Sequence, residues 1–179
     1  MGASKPVVVN IVATADLKQR IVLADVGKLP HHSYNPKVYH CVYAKSPKMH
    51  AKVSIFATGK MISIGTKSEK HAKEDLNLIA DNLADAGLVG RRRLVVQTQN
   101  IVASTKLDAP LEMMRVAAEI PRVLYEPEQF PGAIYRGPVG VTMTLFASGK
   151  VIIAGATNMH QLRLAALELE RIASISRKD

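Results

Sequence analysis

The sequence predicts an α+β fold made of two tandem, pseudo-symmetric copies of one unit of about ninety residues. The first observation is a repeat: three blocks of the 179-residue chain recur in the same order. They are VNIVAT at 9–14 and QNIVAS at 99–104, YNPKVY at 34–39 and YEPEQF at 125–130, and IFATGKMISIG at 55–65 and LFASGKVIIAG at 145–155. Chance similarity does not keep three blocks in register, so the chain contains an internal duplication, with copies at 1–90 and 91–179.

The second observation is that each copy gives the same series of elements. The predicted first strands are Val7–Thr14 and Leu94–Ser104, and the predicted short helices that follow lie near 15–27 and 108–120. A Tyr-Asn-Pro or Tyr-Glu-Pro sequence then marks a break after the helix, because the residue before a proline is pushed out of helical geometry. Two or three strands come next, with glycine-containing hairpin turns at 57–60 and 147–150.

The third observation is an apolar stripe of helical period that closes each copy. Ser68 is predicted to cap the first of these helices and Gly87 to end it. The stripes are Ala72, Leu76, Ile79, Ala80 and Leu83 in the first copy and Leu162, Ala165, Ala166, Leu169 and Ile172 in the second. Side chains alternate between the two faces of a strand, and the helices can cover only one of them. We therefore expect the copies to join into one curved antiparallel sheet with helices on its back.

The composition predicts an intracellular protein whose charge suits a polyanionic partner, which could be nucleic acid, an acidic membrane face or an acidic protein. The alternative interpretation is that the excess lysine only keeps the protein soluble. The formal net charge is +9, of which residues 1–90 carry +5 (12 Lys and Arg, 7 Asp and Glu) and residues 91–179 carry +4 (12 and 8). Because the charge is shared evenly, a folded surface must carry it. A single cysteine excludes an internal disulfide and suits a reducing compartment. Residues 1–6 lack the layout of a signal peptide, and no apolar run has transmembrane length.

The sheet face away from the helices is predicted to be largely aliphatic, with an asparagine in each central strand and a lysine at each rim. Asn10 and Asn100 lie in the central strands, and Lys60 and Lys150 follow the hairpin turns. An apolar face of this size does not stay open to water without a reason. One interpretation is a second buried face or a homodimer contact. The other is the minor groove of A·T-rich DNA, whose floor offers only acceptors, and where a guanine amine would meet apolar side chains.

At these residues the chain resembles the TATA-binding protein family, over nearly its whole length. The blocks that carry the resemblance are VNIVAT, YNPK, FATGKM, GTKSE, QNIVAS, YEPEQFPGAIYR and FASGKV. QNIVAS and YEPEQFPG are most similar to archaeal members, and YNPK to eukaryotic ones. The resemblance implies a saddle, a curved ten-stranded antiparallel sheet with four helices on the convex side. It also implies a general transcription factor, without catalytic residues, metal or cofactor, that bends A·T-rich promoter DNA through the minor groove and nucleates initiation-complex assembly.

The resemblance assigns roles to individual positions on the DNA-binding face. Asn10 and Asn100 match asparagines that hydrogen-bond base edges. The apolar contacts with the groove floor are Val12, Ile62, Val102 and Ile152. The intercalating residues at the ends of the site are Tyr39 and Phe56 in the first copy and Phe130 and Phe146 in the second. The cations that contact the DNA backbone are Lys45, where the family usually has arginine, and Lys60, Arg136 and Lys150.

The resemblance also implies protein partners. Glu126 and Glu128, with the neighbouring Gln129, match loop positions that dock a transcription-factor-B-type protein, which links the complex to RNA polymerase. The expected location is the archaeal cytoplasm and nucleoid, or the nucleus of a eukaryote, with no membrane partner. Self-association of the free protein as a homodimer through the apolar face stays an open alternative.

Besides Lys45, five positions on the DNA-binding face depart from the family pattern. Tyr39 replaces a wedge phenylalanine, and Ile64 and Ala154 replace threonines, which removes two hydroxyl donors. Ser54 and Thr144 replace leucines. These departures predict a relaxed preference for the TATA sequence in a divergent member, while the mode of gripping DNA is kept.

Other kinds of site have weaker support. A group of histidines and one cysteine in the first copy lacks zinc-finger spacing, so no metal site is predicted there; these residues are His31, His32, His40, Cys41 and His50. No catalytic triad is recognisable. The run Arg91-Arg92-Arg93 has two interpretations, a DNA or localisation patch and a solvated linker. Two classes of function remain: a DNA-bending transcription factor that works with protein partners, and an interaction module that has lost DNA binding.

Overall fold

A computed structural model describes residues 4–137 and 140–176 of the chain. These residues form two compact units, each close to one copy of the repeat. One unit spans Asn10–Gln99, and the other combines the described residues up to Val9 with those from Asn100 onward. Among the described helices, none has both the length and the apolar character that crossing a membrane requires.

The described residues of each copy form five strands and two helices in the same order. The first copy contains β1 (Val7–Asp16), α1 (Leu23–Val26), β2 (His32–Ser33), β3 (Cys41–Ala44), β4 (Lys52–Phe56), β5 (Lys60–Thr66) and α2 (Glu69–Asp85). The second copy contains β6 (Gln97–Lys106), α3 (Met113–Glu119), β7 (Val123–Leu124), β8 (Gly132–Arg136), β9 (Thr142–Phe146), β10 (Lys150–Ala156) and α4 (Met159–Ser176). This series confirms the predicted α+β fold class.

The strands belong to one ten-stranded sheet, with order β2-β3-β4-β5-β1 in the first copy and β6-β10-β9-β8-β7 in the second.

The β4–β5 and β9–β10 hairpins turn at Gly59 and Gly149, as the sequence predicts. Their φ angles of 88° and 80° lie in the left-handed region that favours glycine. A Cβ at Gly59 would also overlap the carbonyl oxygen of Gln19, so this turn needs the close backbone approach that glycine allows.

Burial alternates along β1, β6 and β9 as predicted, whereas β3 and β4 contain consecutive buried residues. In β1 the side chains of Ile11, Ala13 and Ala15 are buried, whereas Asn10 and Val12 are half buried on the other face. Most of the buried apolar strand residues of the first copy, such as Ala13, Val53 and Met61, form one hydrophobic core with the apolar face of α2. All five residues of the predicted α2 stripe are buried; in α4 four are buried and the remaining alanine is half buried.

Helix α2 begins and ends where the sequence predicts. The Ser68 hydroxyl caps it by accepting a hydrogen bond from the His71 backbone N–H at 3.0 Å. At the other end Gly87 has a φ of 70°, and the Leu88 N–H donates to the Leu83 carbonyl at 3.0 Å. A glycine in the left-handed region with this hydrogen bond is the usual way for a helix to stop.

The predicted start of the short helix in each copy is wrong. Strand β1 continues to Asp16, which pairs with Lys60 of β5, so residues 15 and 16 are extended rather than helical. In the second copy the helix begins at Met113, several residues after the predicted position 108. Hydrogen bonds to the neighbouring strand outweigh the weak local preference for helix.

The two short helices differ both in length and in the way they begin. The Glu112 carboxylate accepts hydrogen bonds from the N–H groups of Met114 at 3.2 Å and Arg115 at 2.6 Å, which satisfies two donors at the start of α3. The equivalent residue before α1 is Val22, which has no side-chain cap. Helix α1 has four residues and α3 has seven.

One buried carboxylate fixes the loop between β3 and β4 to α2. Asp75, which is 1% exposed, accepts hydrogen bonds from the backbone N–H of His50 at 2.9 Å and of Ala51 at 2.8 Å. Buried backbone donors without a partner are costly. The contact therefore stabilises the loop and holds His50 beside the helix.

We expect Asp75→Ala to lower the free energy of unfolding by about 1–3 kcal/mol, because two backbone N–H groups lose their acceptor. Urea denaturation measures the change. The control is Asp81→Ala, on the exposed side of the same helix, which should stay within about 0.5 kcal/mol of the parent. Equal losses in the two variants would contradict a structural role for the Asp75 carboxylate.

Candidate nucleic-acid interface

Each copy presents a sheet face opposite its helices, which we call the open face. In the first copy it comprises Asn10, Val12, Thr14, Tyr43, Ser54, Phe56, Lys60, Ile62 and Ile64. In the second copy it comprises Asn100, Val102, Ser104, Ile134, Thr144, Phe146, Lys150, Ile152 and Ala154. Strand pairing brings these side chains together, since Val12 lies opposite Ile64 and Ile62 lies opposite Ser54.

An asparagine near the middle of each open face is held by a glycine of the adjoining strand. The Asn10 Oδ1 accepts a hydrogen bond from the Gly65 N–H at 2.9 Å, and the Asn100 Oδ1 accepts one from the Gly155 N–H at 2.8 Å. The glycines have φ angles of 112° and 95° and lie where the strand register shifts. Such bulges release a backbone N–H from the ladder, and here it bonds to the asparagine.

This contact decides which way each amide points. A backbone N–H can bond to the amide oxygen but not to the NH₂ group, so the oxygens of Asn10 and Asn100 are committed to the sheet. Within the described part of the chain neither NH₂ group has an acceptor. Each open face therefore offers N–H donors among aliphatic side chains such as Val12 and Val102.

Lysines stand at the rim of each open face in different electrostatic surroundings. Lys60 lies opposite Asp16, whose pKa is held below its usual value mainly by a hydrogen bond from the Lys18 backbone N–H at 2.7 Å. Lys150 instead lies opposite Lys106. Like charges directly opposite each other on antiparallel strands are destabilising. A bound polyanion would relieve that repulsion in the second copy.

The two other predicted backbone-contacting cations lie at the ends of equivalent strands. Lys45 follows β3, and its Nζ donates to the Met49 carbonyl at 2.6 Å. Arg136 ends β8 opposite Thr142 and is exposed. The Lys45 ammonium group is thus hydrogen-bonded within its own loop, whereas the Arg136 side chain is exposed to solvent.

Two phenylalanines pack together at the edge of the second open face. Phe130 and Phe146 form an edge-to-face pair with ring centroids 6.0 Å apart. Phe130 is 42% exposed, which is high for a large apolar side chain. Gly132 makes room for the pair, because a Cβ at this position would lie 2.7 Å from the Phe130 ring and 3.1 Å from the Phe146 ring.

The first copy arranges its aromatic side chains differently. The ring of Tyr39 lies edge-on against Tyr43, with centroids 5.0 Å apart, and Tyr39 is 47% exposed. Cys41 stands opposite Phe56, in the place that Gly132 takes opposite Phe146. A side chain at this position fills the space into which the second copy admits Phe130. Tyr39 therefore packs on Tyr43 rather than on Phe56.

Tyr43 is an open-face residue that the sequence analysis did not single out, although strand alternation puts it on this face. It lies opposite Ser54, and the Lys52 Nζ is 4.3 Å from its ring centroid. The neighbouring Cys41 side chain, and secondly burial, raise the pKa of Tyr43 above its usual value. Ser54, a predicted DNA contact, is only 9% exposed, whereas its counterpart Thr144 is half buried.

A basic groove of about 1130 Å³ lies beside the open face of the first copy. Its polar lining includes Lys18, Lys60, Arg92, Arg93, Gln97 and Gln99. Arg92 is fixed by donating to the Leu17 carbonyl at 2.6 Å, and Arg91 pairs with the α2 residues Asp81 and Asp85. Of the arginine run, Arg92 and Arg93 thus line the groove and Arg91 contacts the helix, a division that the sequence did not reveal.

The three predicted partner-binding residues lie on one exposed turn before Phe130. The Glu126 carbonyl accepts hydrogen bonds from the N–H of Gln129 at 2.9 Å and of Phe130 at 3.0 Å. Glu126, Glu128 and Gln129 are all exposed. The first copy forms the same turn around the carbonyl of Asn35, but its side chains there are an amide and Lys37 instead of two carboxylates.

A protein-family model described as transcription factor TFIID, or TATA-binding protein, matches residues 5–86 and 95–174. The chain belongs to the TATA-binding protein family. Similar relatives include the TATA-box-binding proteins of Cenarchaeum symbiosum, 34% identical over 93% of this chain and 92% of that protein, and of Pyrobaculum calidifontis, 35% identical over 89% and 81%. The solved structure of Methanococcus jannaschii TBP matches 96% of this chain and 99% of its own with a TM-score of 0.86 at 27% identity.

Membership of the TATA-binding protein family confirms the predicted fold of two tandem repeats with a ten-stranded antiparallel sheet and four helices. It also shows that the chain is a general transcription factor, that it binds DNA and that it is not an enzyme. The predicted similarity to archaeal members is confirmed by the relatives in Cenarchaeum and Pyrobaculum.

Proposed function

We propose that this member of the TATA-binding protein family grips A·T-rich promoter DNA through the minor groove, bends it, and nucleates initiation-complex assembly. The observation that supports this most strongly is the pair of oriented asparagines. Their oxygens are bonded to Gly65 and Gly155, which leaves only N–H donors to face a ligand. The floor of the minor groove at A·T pairs presents only acceptors, adenine N3 and thymine O2.

The aliphatic surroundings of Asn10 and Asn100 favour A·T over G·C pairs. The guanine N2 amine projects into the minor groove, and beside Val12 or Val102 it would lose water without gaining an acceptor. Adenine and thymine have no such group. The open faces therefore select against guanine by the cost of burying an unpaired donor.

Two departures on the open face support a relaxed preference for the TATA sequence. Ile64 is 47% exposed, and Ala154 is the equivalent residue of the second copy. Neither side chain carries a hydroxyl that could bond to a particular base. Because A·T and T·A present nearly the same minor-groove pattern, the protein should accept many A·T-rich sequences with similar affinity.

Bending would depend on apolar side chains at the two ends of the site. Unstacking a base step costs a few kcal/mol, and proteins of this kind offset it by inserting apolar wedges and contacting more of the bent duplex. Phe130 and Tyr39 are suited to this role because 42% and 47% of their surfaces are exposed before DNA is bound. The side chains of Lys60, Lys150 and Arg93 can contact phosphates of the DNA backbone.

Base analogues in the duplex test the minor-groove proposal. Replacing A·T pairs by inosine·cytosine leaves the minor groove without an amine and changes the major groove, so binding should persist. Replacing adenine by 2,6-diaminopurine adds the minor-groove amine and should abolish binding. Affinity should also fall steeply as salt rises, because phosphate contacts release counterions. Loss of binding with inosine and retention with diaminopurine would contradict the proposal.

Self-association is a second candidate for the free protein, favoured by the exposure of Ile64 on the open face and of Tyr39 and Phe130 in the turns beside it. Apolar association is not weakened by salt, whereas phosphate binding is. Sedimentation of the free chain at low and at high salt shows whether it forms a dimer that is held together by apolar contacts. A dimer that persists in high salt and dissociates on addition of duplex would mean that the same face serves both purposes.

We further propose that the exposed turn at Glu126 and Glu128 docks a basic transcription-factor-B-type protein, which would engage RNA polymerase indirectly. Two carboxylates on an exposed turn of a protein with net charge +9 make a local acidic patch. Complementary charge at an interface sets partner choice and association rate. The turn of the first copy, with Asn35 and Lys37, lacks that patch.

Reversing the charge of this turn should separate partner binding from DNA binding. We expect Glu126→Lys combined with Glu128→Lys to bind DNA like the parent and to lose capture of the transcription-factor-B partner, because like charges then face each other. A gel shift with DNA and both proteins measures this. Asn35→Lys, at the equivalent position of the first copy, is the control and should still form the ternary complex. A ternary complex formed equally well by the double variant would rule the docking site out.

A further inference from the structure

We propose that His50, His71 and Glu74 form a binding site for one divalent transition-metal ion of the zinc class. One ligand atom from each of the three residues lies within 4.8 Å of the other two. His71 and Glu74 belong to α2, and His50 lies in the loop before β4. None of the three is used in the proposed contact with DNA, so the site is independent of it.

The three side chains already lie against one another. The His50 Nε2 is 3.3 Å from the Glu74 Oε2, and the rings of His50 and His71 stack with centroids 3.7 Å apart. His71 and Glu74 are three positions apart on α2, a spacing that puts them on the same side of a helix. The His50 and Glu74 side chains are 43% and 48% exposed, so they can turn toward an ion. Tetrahedral bonds of about 2.0–2.1 Å need ligand atoms about 3.3 Å apart, which is a short movement from their present positions.

The backbone beneath the site is fixed from two directions before any ion binds. Asp75 accepts a hydrogen bond from the His50 N–H at 2.9 Å, which holds the loop to the helix. Ser68 accepts one from the His71 N–H at 3.0 Å, which fixes the start of α2. An ion therefore has to order only three side chains, and such preorganisation lowers the entropic cost of binding.

The ligand set selects the class of metal. Imidazole nitrogen suits Zn²⁺, Ni²⁺, Cu²⁺ and Co²⁺, whereas Mg²⁺ and Ca²⁺ prefer oxygen ligands throughout. Two imidazoles and one carboxylate leave the fourth tetrahedral position to water. Lys70 lies 3.8 Å from the Glu74 Oε1, the oxygen that does not face His50, so its ion pair leaves Oε2 available to the metal.

The second copy shows that the fold does not require these ligands. Asn158 caps α4 by accepting a hydrogen bond from the Gln161 N–H at 2.9 Å, so Gln161 takes the position that His71 has in α2. Three positions further on, Leu164 stands where the first copy has Glu74. The same strand–helix unit forms with a glutamine and a leucine there. The strand–helix unit therefore does not need an imidazole and a carboxylate at these positions in order to fold.

A titration of the full-length, tag-free chain tests the site after a chelator has removed adventitious metal. We expect calorimetry with Zn²⁺ to give one ion per chain, and Co²⁺ to give the intense visible absorption of tetrahedral coordination. His71→Gln and Glu74→Gln should each weaken Zn²⁺ binding by about 10–100-fold or more, since losing even an outer-shell partner has that effect. The glutamine at 71 reproduces the residue of α4, so the start of the helix should be preserved.

His160→Gln is the matched control, because it removes an exposed imidazole from the first turn of α4. It should bind Zn²⁺ like the parent. Zn²⁺ should also raise the melting temperature of the parent and of His160→Gln but not of His71→Gln, because an ion that binds only the folded chain stabilises it. Absence of stoichiometric binding by the parent, or equal affinity of the parent and both site variants, would overturn the proposal.

Discussion

Replacing Asn10 and Asn100 together by alanine is expected to weaken binding to an A·T-rich duplex by about 2–6 kcal/mol. Each single replacement should cost about 1–3 kcal/mol, the scale of a good base contact, and distant sites usually add. The reason is the orientation of the amides: their oxygens are bonded to Gly65 and Gly155, so their N–H groups are the donors available to base edges. Titration of a fluorescent duplex at one fixed salt concentration measures the loss.

Asn→Asp variants separate donation to DNA from the role of these residues in the sheet. Aspartate keeps an oxygen for the Gly65 and Gly155 N–H groups but has no N–H to donate and adds a negative charge. Melting temperatures close to that of the parent, with DNA binding at least as weak as in the alanine variants, are expected. If the single and double alanine variants titrate DNA like the parent, the open faces are not the DNA-binding surface.

The second large effect is expected at the wedges, where Phe130→Ala should reduce the DNA bend more than Tyr39→Ala. An apolar ring between base steps offsets the few kcal/mol that unstacking costs. A tyrosine hydroxyl pushed into the stack loses water, at a cost of about 1–3 kcal/mol if it finds no partner. Phe130 also rests on Phe146, whereas Tyr39 rests on Tyr43. The end of the site gripped by the second copy should therefore kink the duplex more fully.

Variants that make the first copy like the second test the cause of this inequality. Tyr39→Phe removes the hydroxyl and should tighten binding and increase the bend. Adding Cys41→Gly should increase the bend further, because glycine at the equivalent position 132 is what lets the Phe130 ring approach Phe146.

Energy transfer between dyes at the two ends of a short duplex measures the bend in each complex. Cys41→Gly alone is the control, since it opens the space without removing the hydroxyl of Tyr39. An unchanged bend in Tyr39→Phe, together with equal losses in Phe130→Ala and Tyr39→Ala, would mean that the tyrosine hydroxyl finds a partner at the kink or that Tyr39 does not intercalate.

The features that the sequence predicted correctly are those that depend on nearby residues. The α2 stripe from Ala72 to Leu83, its cap at Ser68 and its end at Gly87 all lie within one helix and follow from a period of 3.6. The alternation along β1 likewise follows from the geometry of a single strand. The start of the short helices failed because residues 15 and 16 pair with β5, which is distant in the sequence.

The candidate site shows the same division between local pattern and distant contact. The sequence indicated Asn10 and Asn100 as polar residues in apolar strands, but not that a bulge glycine would fix their oxygens. It indicated Tyr39 as an aromatic residue at a wedge position, but not that it would pack on Tyr43. Each of these contacts joins residues on different strands or turns, and the register between them is set by the folded sheet.

By itself, the sequence determined the duplication, the two-repeat α+β fold, the family and the faces on which the strand residues lie. It could do so because repeats, helical stripes and strand alternation are periodic along the chain. Only the tertiary structure decided how the Asn10 amide points, that Arg92 and Arg93 line a groove, and that His50 meets His71. These outcomes depend on which distant segments pack together, and that is fixed by burial of apolar surface rather than by any local pattern.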